Sequence, residues 1–95
     1  MVVGVGHIVF RIHRCRSLKE KRKVVKAIVA RIGNHFNASV AEVADNEIYQ
    51  RAVIGISLVG SDRRMINAKL DKLFNFAEDL GLAEMIDTQL EIISL

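Results

Sequence analysis

The spacing of apolar residues changes repeatedly along this chain, and the order of the changes restricts the fold more than any other feature. Over residues 2–13 the apolar side chains alternate with period two, which predicts a β-strand. Over residues 17–36 they recur every three or four positions, as on one face of a helix. The remaining segments predict strands over 38–44, 51–59 and 84–95 and a second helix between 61 and 81.

Local signals mark the ends of both predicted helices. Ser17 and Glu20 have capping-box spacing, in which the Ser hydroxyl accepts a backbone N–H and the Glu side chain reaches back. Ser61 and Asp62 supply a cap for the second helix, and Gly81 stands where that helix is expected to stop.

The predicted order is therefore β-α-β-β-α-β within one domain, residues 1–95. This order consists of two β-α-β units, each with a right-handed crossover. The two units interleave into a four-stranded antiparallel sheet with both helices on one face. We predict an α+β, ferredoxin-like sandwich. No stretch approaches the roughly 20 apolar residues of a membrane span, so no membrane contact is predicted. A single cysteine and the lack of a signal-peptide pattern favour the cytoplasm.

The charges are divided unevenly along the chain. Residues 1–37 carry nine Lys or Arg and one acid, or +8, whereas residues 38–95 carry five and ten, or −5. A dense positive patch attracts phosphate-rich polymers or acidic surfaces. The patch is the best indication of a partner that the sequence contains.

Helical geometry resolves this basic segment into one stripe and several outliers. Lys19, Arg22, Lys23 and Lys26 fall within about 100° of one another on the helical wheel, beside the apolar stripe. Lys21 falls at the apolar edge, where its stem can lie along apolar surface while the ammonium group stays in water. The predicted nucleic-acid-binding residues are Arg14, Arg16, Lys19, Arg22, Lys23 and Lys26.

We predict that these residues bind structured RNA or a ribosomal particle, chiefly through phosphates. Like charges three and four positions apart are mildly destabilising, so the pattern favours a partner that supplies negative charge. Two alternatives stay open for the stripe: a merely solvated surface, and an acidic protein partner.

The sheet face away from the helices carries the alternative function. Val3, Val5, His7 and Val9 share it with Val53 of the third strand, and a face this apolar indicates an oligomer interface. A homo-oligomer, with a dimer favoured, would act as a protein-interaction or ligand-sensing module through that face. The open alternative is an exposed sheet in which β-branched residues satisfy strand propensity.

Other positions offer little chemistry. Phe10 alternates with the core-facing residues, which disfavours stacking of bases on the sheet. His7 and His13 lie about 20 Å apart on one strand, so they cannot share a metal ion. Cys15 has no base nearby in sequence, and the loop around it lacks the glycines of an acylphosphatase-like phosphate cradle. We predict no catalytic residue, metal or cofactor, and no enzymatic activity.

Arg11 is expected to pair across strands with Asp87 or Glu91.

Four segments of the chain resemble a known family: residues 1–5, 17–26, 36–43 and 50–52. The core Ser-Leu-Lys-Glu-Lys-Arg, which begins at Ser17, is the most specific of them. The resemblance is to the YlxP-like family of small bacterial proteins. It implies a ferredoxin-like fold, a bacterial cytoplasm and, from genes that lie beside translation factors, a link to RNA. It implies no catalytic residue.

This chain departs from the family pattern at Tyr49, near the second turn, where a Trp is often found. His7 and Cys15 are not recognised as family features.

Overall fold

The computed structural model describes all 95 residues, and its six regular elements follow the predicted order. They are β1 (Val2–Arg11), α1 (Leu18–His35), β2 (Ser39–Ala44), β3 (Arg51–Gly60), α2 (Arg63–Asp79) and β4 (Glu84–Ser94). The predicted boundaries differ from these by at most two residues. Neither helix is long and apolar enough to cross a membrane.

The four strands form one sheet in the order β2-β3-β1-β4, and all neighbours are antiparallel. The central pair is regular over its whole length, from Val2 opposite Gly60 to Arg11 opposite Arg51. The pairing of β1 with the edge strand β4 shifts register between Val9 and Phe10. The predicted ferredoxin-like topology is confirmed.

The core lies between the sheet and the two helices. Alternate residues of β1 and β3, such as Phe10 and Ile54, point into it and are almost fully buried. Helix α2 approaches β1 closely because Gly4 has no side chain: a Cβ there would lie 2.6 Å from Ile66. The sheet therefore has one face covered by helices and one face that no other element of the chain covers.

Helix α1 is rotated slightly from the predicted orientation. Its buried residues are Lys21, Val25, Ile28 and Ile32. On a helical wheel Leu18, Val29 and Phe36 fall within about 20° of one another, at the centre of the predicted apolar stripe. In the structure they are only partly buried, at the margin of the buried face. The rotation turns Lys21 towards the sheet and leaves the other lysines of α1 outside.

Candidate phosphate-binding surface

The start of α1 is capped by its own side chains. The Ser17 hydroxyl accepts the backbone N–H of Glu20 at 3.1 Å, and the Glu20 carboxylate accepts the backbone N–H of Arg16 at 2.8 Å. The first bond confirms the Ser17 cap, whereas the return bond of Glu20 goes to Arg16, one residue before the cap, rather than to Ser17 as in a standard capping box. Glu20, the one acid among the first 37 residues, is therefore held at the cap.

The four residues of the predicted stripe lie together on the outer side of α1, and we call them the basic face: Lys19, Arg22, Lys23 and Lys26. All four are exposed. The structure contains three ion pairs, His13–Glu84, Lys21–Glu42 and Arg51–Asp45, and none involves the basic face. Acidic residues of α2 do not neutralise it either. The basic face thus presents four uncompensated cations over two helical turns.

Arg14 and Arg16 extend this surface from the loop before α1. Both are exposed, and they flank Cys15, whose side chain is buried in the core at 3% exposure. The Cys15 thiol donates to the Ser17 carbonyl at 3.4 Å, and the Gln50 amide donates to the Cys15 carbonyl at 3.3 Å. The buried Cys15 side chain therefore anchors this loop, with the exposed Arg14 and Arg16 on either side of it.

Lys21 does not behave as predicted, because its ammonium group does not reach water. The whole residue is 1% exposed. Its Nζ lies 3.0 Å from a Glu42 carboxylate oxygen and also donates to the backbone carbonyl of Asp45. Glu42 stands opposite buried Ile54 in the sheet, so its carboxylate faces the helix layer. That strand position is the signal that would have revealed the pair.

The turn between β2 and β3 is fixed through the same contacts. Asp45 adopts a left-handed backbone conformation with φ 57°, and its carboxylate accepts from Arg51 Nε at 2.8 Å. Because Lys21 binds Asp45 and Glu42 together, the first turn of α1 is fastened to this turn. The basic face therefore lies on a helix whose position is held from beneath.

The predicted interface residues also come together. Strand register sets Val3 opposite Val59, Val5 opposite Ser57, His7 opposite Gly55 and Val9 opposite Val53. We call the sheet surface away from the helices the open face. On it His7 is exposed, and the predicted valines Val3, Val5, Val9 and Val53 are half-buried by their neighbours. A shallow groove of about 440 Å³ runs over its centre.

The pairing predicted for Arg11 was wrong. The register of β4 on β1 sets Asp87 opposite Val9, Glu91 opposite Val5 and Arg11 opposite Glu84. Arg11 forms no ion pair. Glu84 lies instead 3.4 Å from His13 Nε2. Arg11 is therefore an unpaired cation at one end of the open face.

No three His, Cys, Asp or Glu side chains lie close enough together to hold a metal ion. Phe10, the aromatic residue of the central strands, is 1% exposed and faces the helices.

Comparison with known families identifies the chain. The family described as "Protein of unknown function (DUF503)" matches residues 3–90. The chain belongs to this family. The DUF503 chain is also 32% identical over 90 residues to "Uncharacterized protein YlxP" of Bacillus subtilis (strain 168), an alignment that covers 95% of this chain and 98% of the relative. The resemblance seen in the sequence is confirmed.

Solved structures agree on the fold of this DUF503 chain. The de novo designed protein Foldit4 superposes with a TM-score of 0.53 at 11% identity, covering 100% of this chain and 99% of that one. The de novo designed protein LFR1 1, which has a ferredoxin fold, superposes with a TM-score of 0.52 at 8% identity. That match covers 98% of this chain and 83% of the design. Identities this low support the fold alone.

Proposed function

We propose that this protein is a non-enzymatic accessory factor that binds structured RNA, alone or within a ribosomal particle, through the basic face. One observation carries the proposal: four exposed cations crowd two turns of α1, and no acid pairs with any of them. A helix surface that serves only solubility usually mixes signs at i,i+4 spacing. Repulsion among the four like-charged side chains is relieved by a partner that carries regularly spaced negative charge.

The residue types favour phosphate over a carboxylate-bearing protein. Three of the four are lysines, whose flexible ammonium groups act as point charges and adapt to variable phosphate positions. Lys19 and Lys26 are separated by about 10 Å along the helix axis, so several phosphates of one backbone lie within reach of the face. Arg14 and Arg16, anchored through Cys15, add contacts beyond the helix start.

Recognition in this proposal depends on the shape of the RNA more than on its bases. Phosphate contacts position a protein on a nucleic acid but carry no sequence information. The sheet offers no exposed aromatic residue on β1 or β3 for base stacking, and the basic face consists of backbone-binding side chains. Folded or double-helical RNA, with closely spaced phosphates, is therefore the expected ligand. A cytoplasmic setting, where free cysteine is common, is part of the proposal.

A filter-binding titration tests the proposal with the unmodified protein. We expect retention of a folded ribosomal RNA fragment at low salt, and competition by unlabelled double-stranded RNA better than by an unstructured homopolymer of equal length. The physical reason is the higher phosphate density of paired strands. No retention of any RNA at low salt would refute RNA binding. Equal competition by both competitors would refute the preference for structure.

A further inference from the structure

The open face combines exposed apolar side chains with charged margins. Its middle is mixed, with Val5 and Val9 beside His7, Ser57 and Gln89, and two of its valines, Val59 and Val43, are 62% and 52% exposed. Its charged residues lie at the margins: Arg11 and Arg51 at one end, and Asp87 and Glu91 on the edge strand β4. Exposed apolar side chains within a charged rim are typical of a protein–protein contact.

The centre of the open face is shaped by a missing side chain. Gly55 leaves a gap in β3, and Val43 leans across it from β2: a Cβ on Gly55 would lie 2.7 Å from Val43 Cγ1. The register shift between Glu42 and Ala44 sets Val43 in this position. The result is the groove between β2 and β4, which has His7 and Gln89 along its polar side.

We propose that a second copy of this chain covers the open face, so that the protein is a dimer with its two sheets packed face to face. Strands of 10, 6, 10 and 11 residues, about 4.8 Å apart and rising about 3.3 Å per residue, present roughly 600 Å². Two such faces would bury about 1,200 Å², which reaches the lower limit for a stable specific interface.

The charges on the face suit a second copy of the same chain. Arg51 is already neutralised by Asp45, whereas Arg11 beside it has no ion-pair partner. Asp87 and Glu91, on the same face, also form no ion pair. In a two-fold dimer each contact occurs twice, so the unpaired cation at one margin of each copy can meet the unpaired carboxylates at the other margin of its partner.

The exposed edge of β4 is a poorer site for self-association. An edge strand can pair with a second copy through its free backbone groups. However, β4 contains Glu84, Asp87 and Glu91 and no basic residue. Pairing two copies of β4 would set like charges beside each other, which is destabilising. The face, not the edge, is therefore the predicted contact.

The dimer leaves the basic face free. Helix α1 lies on the opposite side of the sheet from the open face, so a face-to-face dimer has one basic face on each outer surface. Dimerisation and RNA binding thus involve separate residues, and either can fail without the other.

The test is the solution mass of the unmodified protein and of two matched variants, measured by light scattering at micromolar to millimolar concentration. Val43→Lys with Val59→Lys adds two charges at exposed positions of the open face. Met65→Lys with Ala68→Lys adds the same charges at exposed positions of α2. We expect twice the chain mass of 10.6 kDa for the unmodified protein and for the α2 variant. The open-face variant is expected to show a two-fold lower mass with unchanged circular dichroism.

A monomeric unmodified protein would overturn the dimer. A dimer that survives Val43→Lys with Val59→Lys would overturn the assignment to the open face. RNA retention by the open-face variant separates the two proposals. If this variant is a monomer and still binds RNA, the dimer is assigned to the open face and RNA binding does not require dimerisation.

Discussion

Reversal of three charges on the basic face, in K19E/R22E/K26E, is expected to lower the affinity for structured RNA by about 100-fold or more at 0.1 M salt. Each phosphate contact contributes about 0.7–0.9 to the slope of log affinity against log salt, so three contacts account for about two log units at that salt concentration. All three side chains are exposed and form no ion pair, so the fold should be unaffected. Filter binding measures the affinity, and thermal unfolding checks the fold.

A matched control separates the basic face from the net charge of the protein. R64E/K69E/K72E makes the same change in charge at three exposed residues of α2 that form no ion pair. We expect this variant to retain most of the affinity, with a loss of at most about tenfold from long-range electrostatics. Equal losses in the two variants would show that only net charge matters, and the basic face would then have no special role.

Replacement of Lys21 by Met is expected to lower the free energy of unfolding by about 3 kcal/mol. The substitution leaves the Glu42 carboxylate enclosed beneath α1 without its cation, and the Asp45 carbonyl loses its donor. In a domain of this size the melting temperature should fall by about 12–24 °C. Chemical denaturation measures the effect.

Two further variants show whether the loss of stability in Lys21→Met comes from the ion pair. Lys23→Met, at an exposed position of the same helix, is expected to change stability by less than about 0.5 kcal/mol. Lys21→Met with Glu42→Leu removes both charges, and we expect it to be within about 1 kcal/mol of the unmodified protein or more stable, because apolar packing replaces a desolvated pair. If Lys21→Met alone behaves like Lys23→Met, the ion pair does not fasten α1 to the β2–β3 turn.

The elements of this fold were predictable because their signals are local. Period-two alternation in β1 and β3 and the helix cap at Ser17 each depend on a few neighbouring residues, and all were confirmed. Alternation also placed Val5 and Val53 on one face without knowledge of the register. The exposed positions of the basic face follow from the helical wheel in the same way.

The errors concern contacts between elements, which a helical wheel or a strand pattern does not contain. Lys21 was placed in water because its angle on the helix says nothing of Glu42, which comes from a strand 21 residues later and points inward. The partner predicted for Arg11 was wrong because alternation within each strand does not give the register between them, which sets Asp87 opposite Val9 and Arg11 opposite Glu84. The register of β4 has no marker in the sequence, whereas the inward-facing position of Glu42 follows from strand alternation.

The slope of log affinity for structured RNA against log salt concentration tests the central claim most directly, because it counts phosphate contacts. The basic face with Arg14 and Arg16 provides four to six contacts, which predicts a slope of about −3 to −5 for the unmodified protein. K19Q/R22Q/K26Q should reduce its magnitude by about 2–3. A slope near zero, or one that these three substitutions leave unchanged, would contradict the assignment of RNA binding to the basic face.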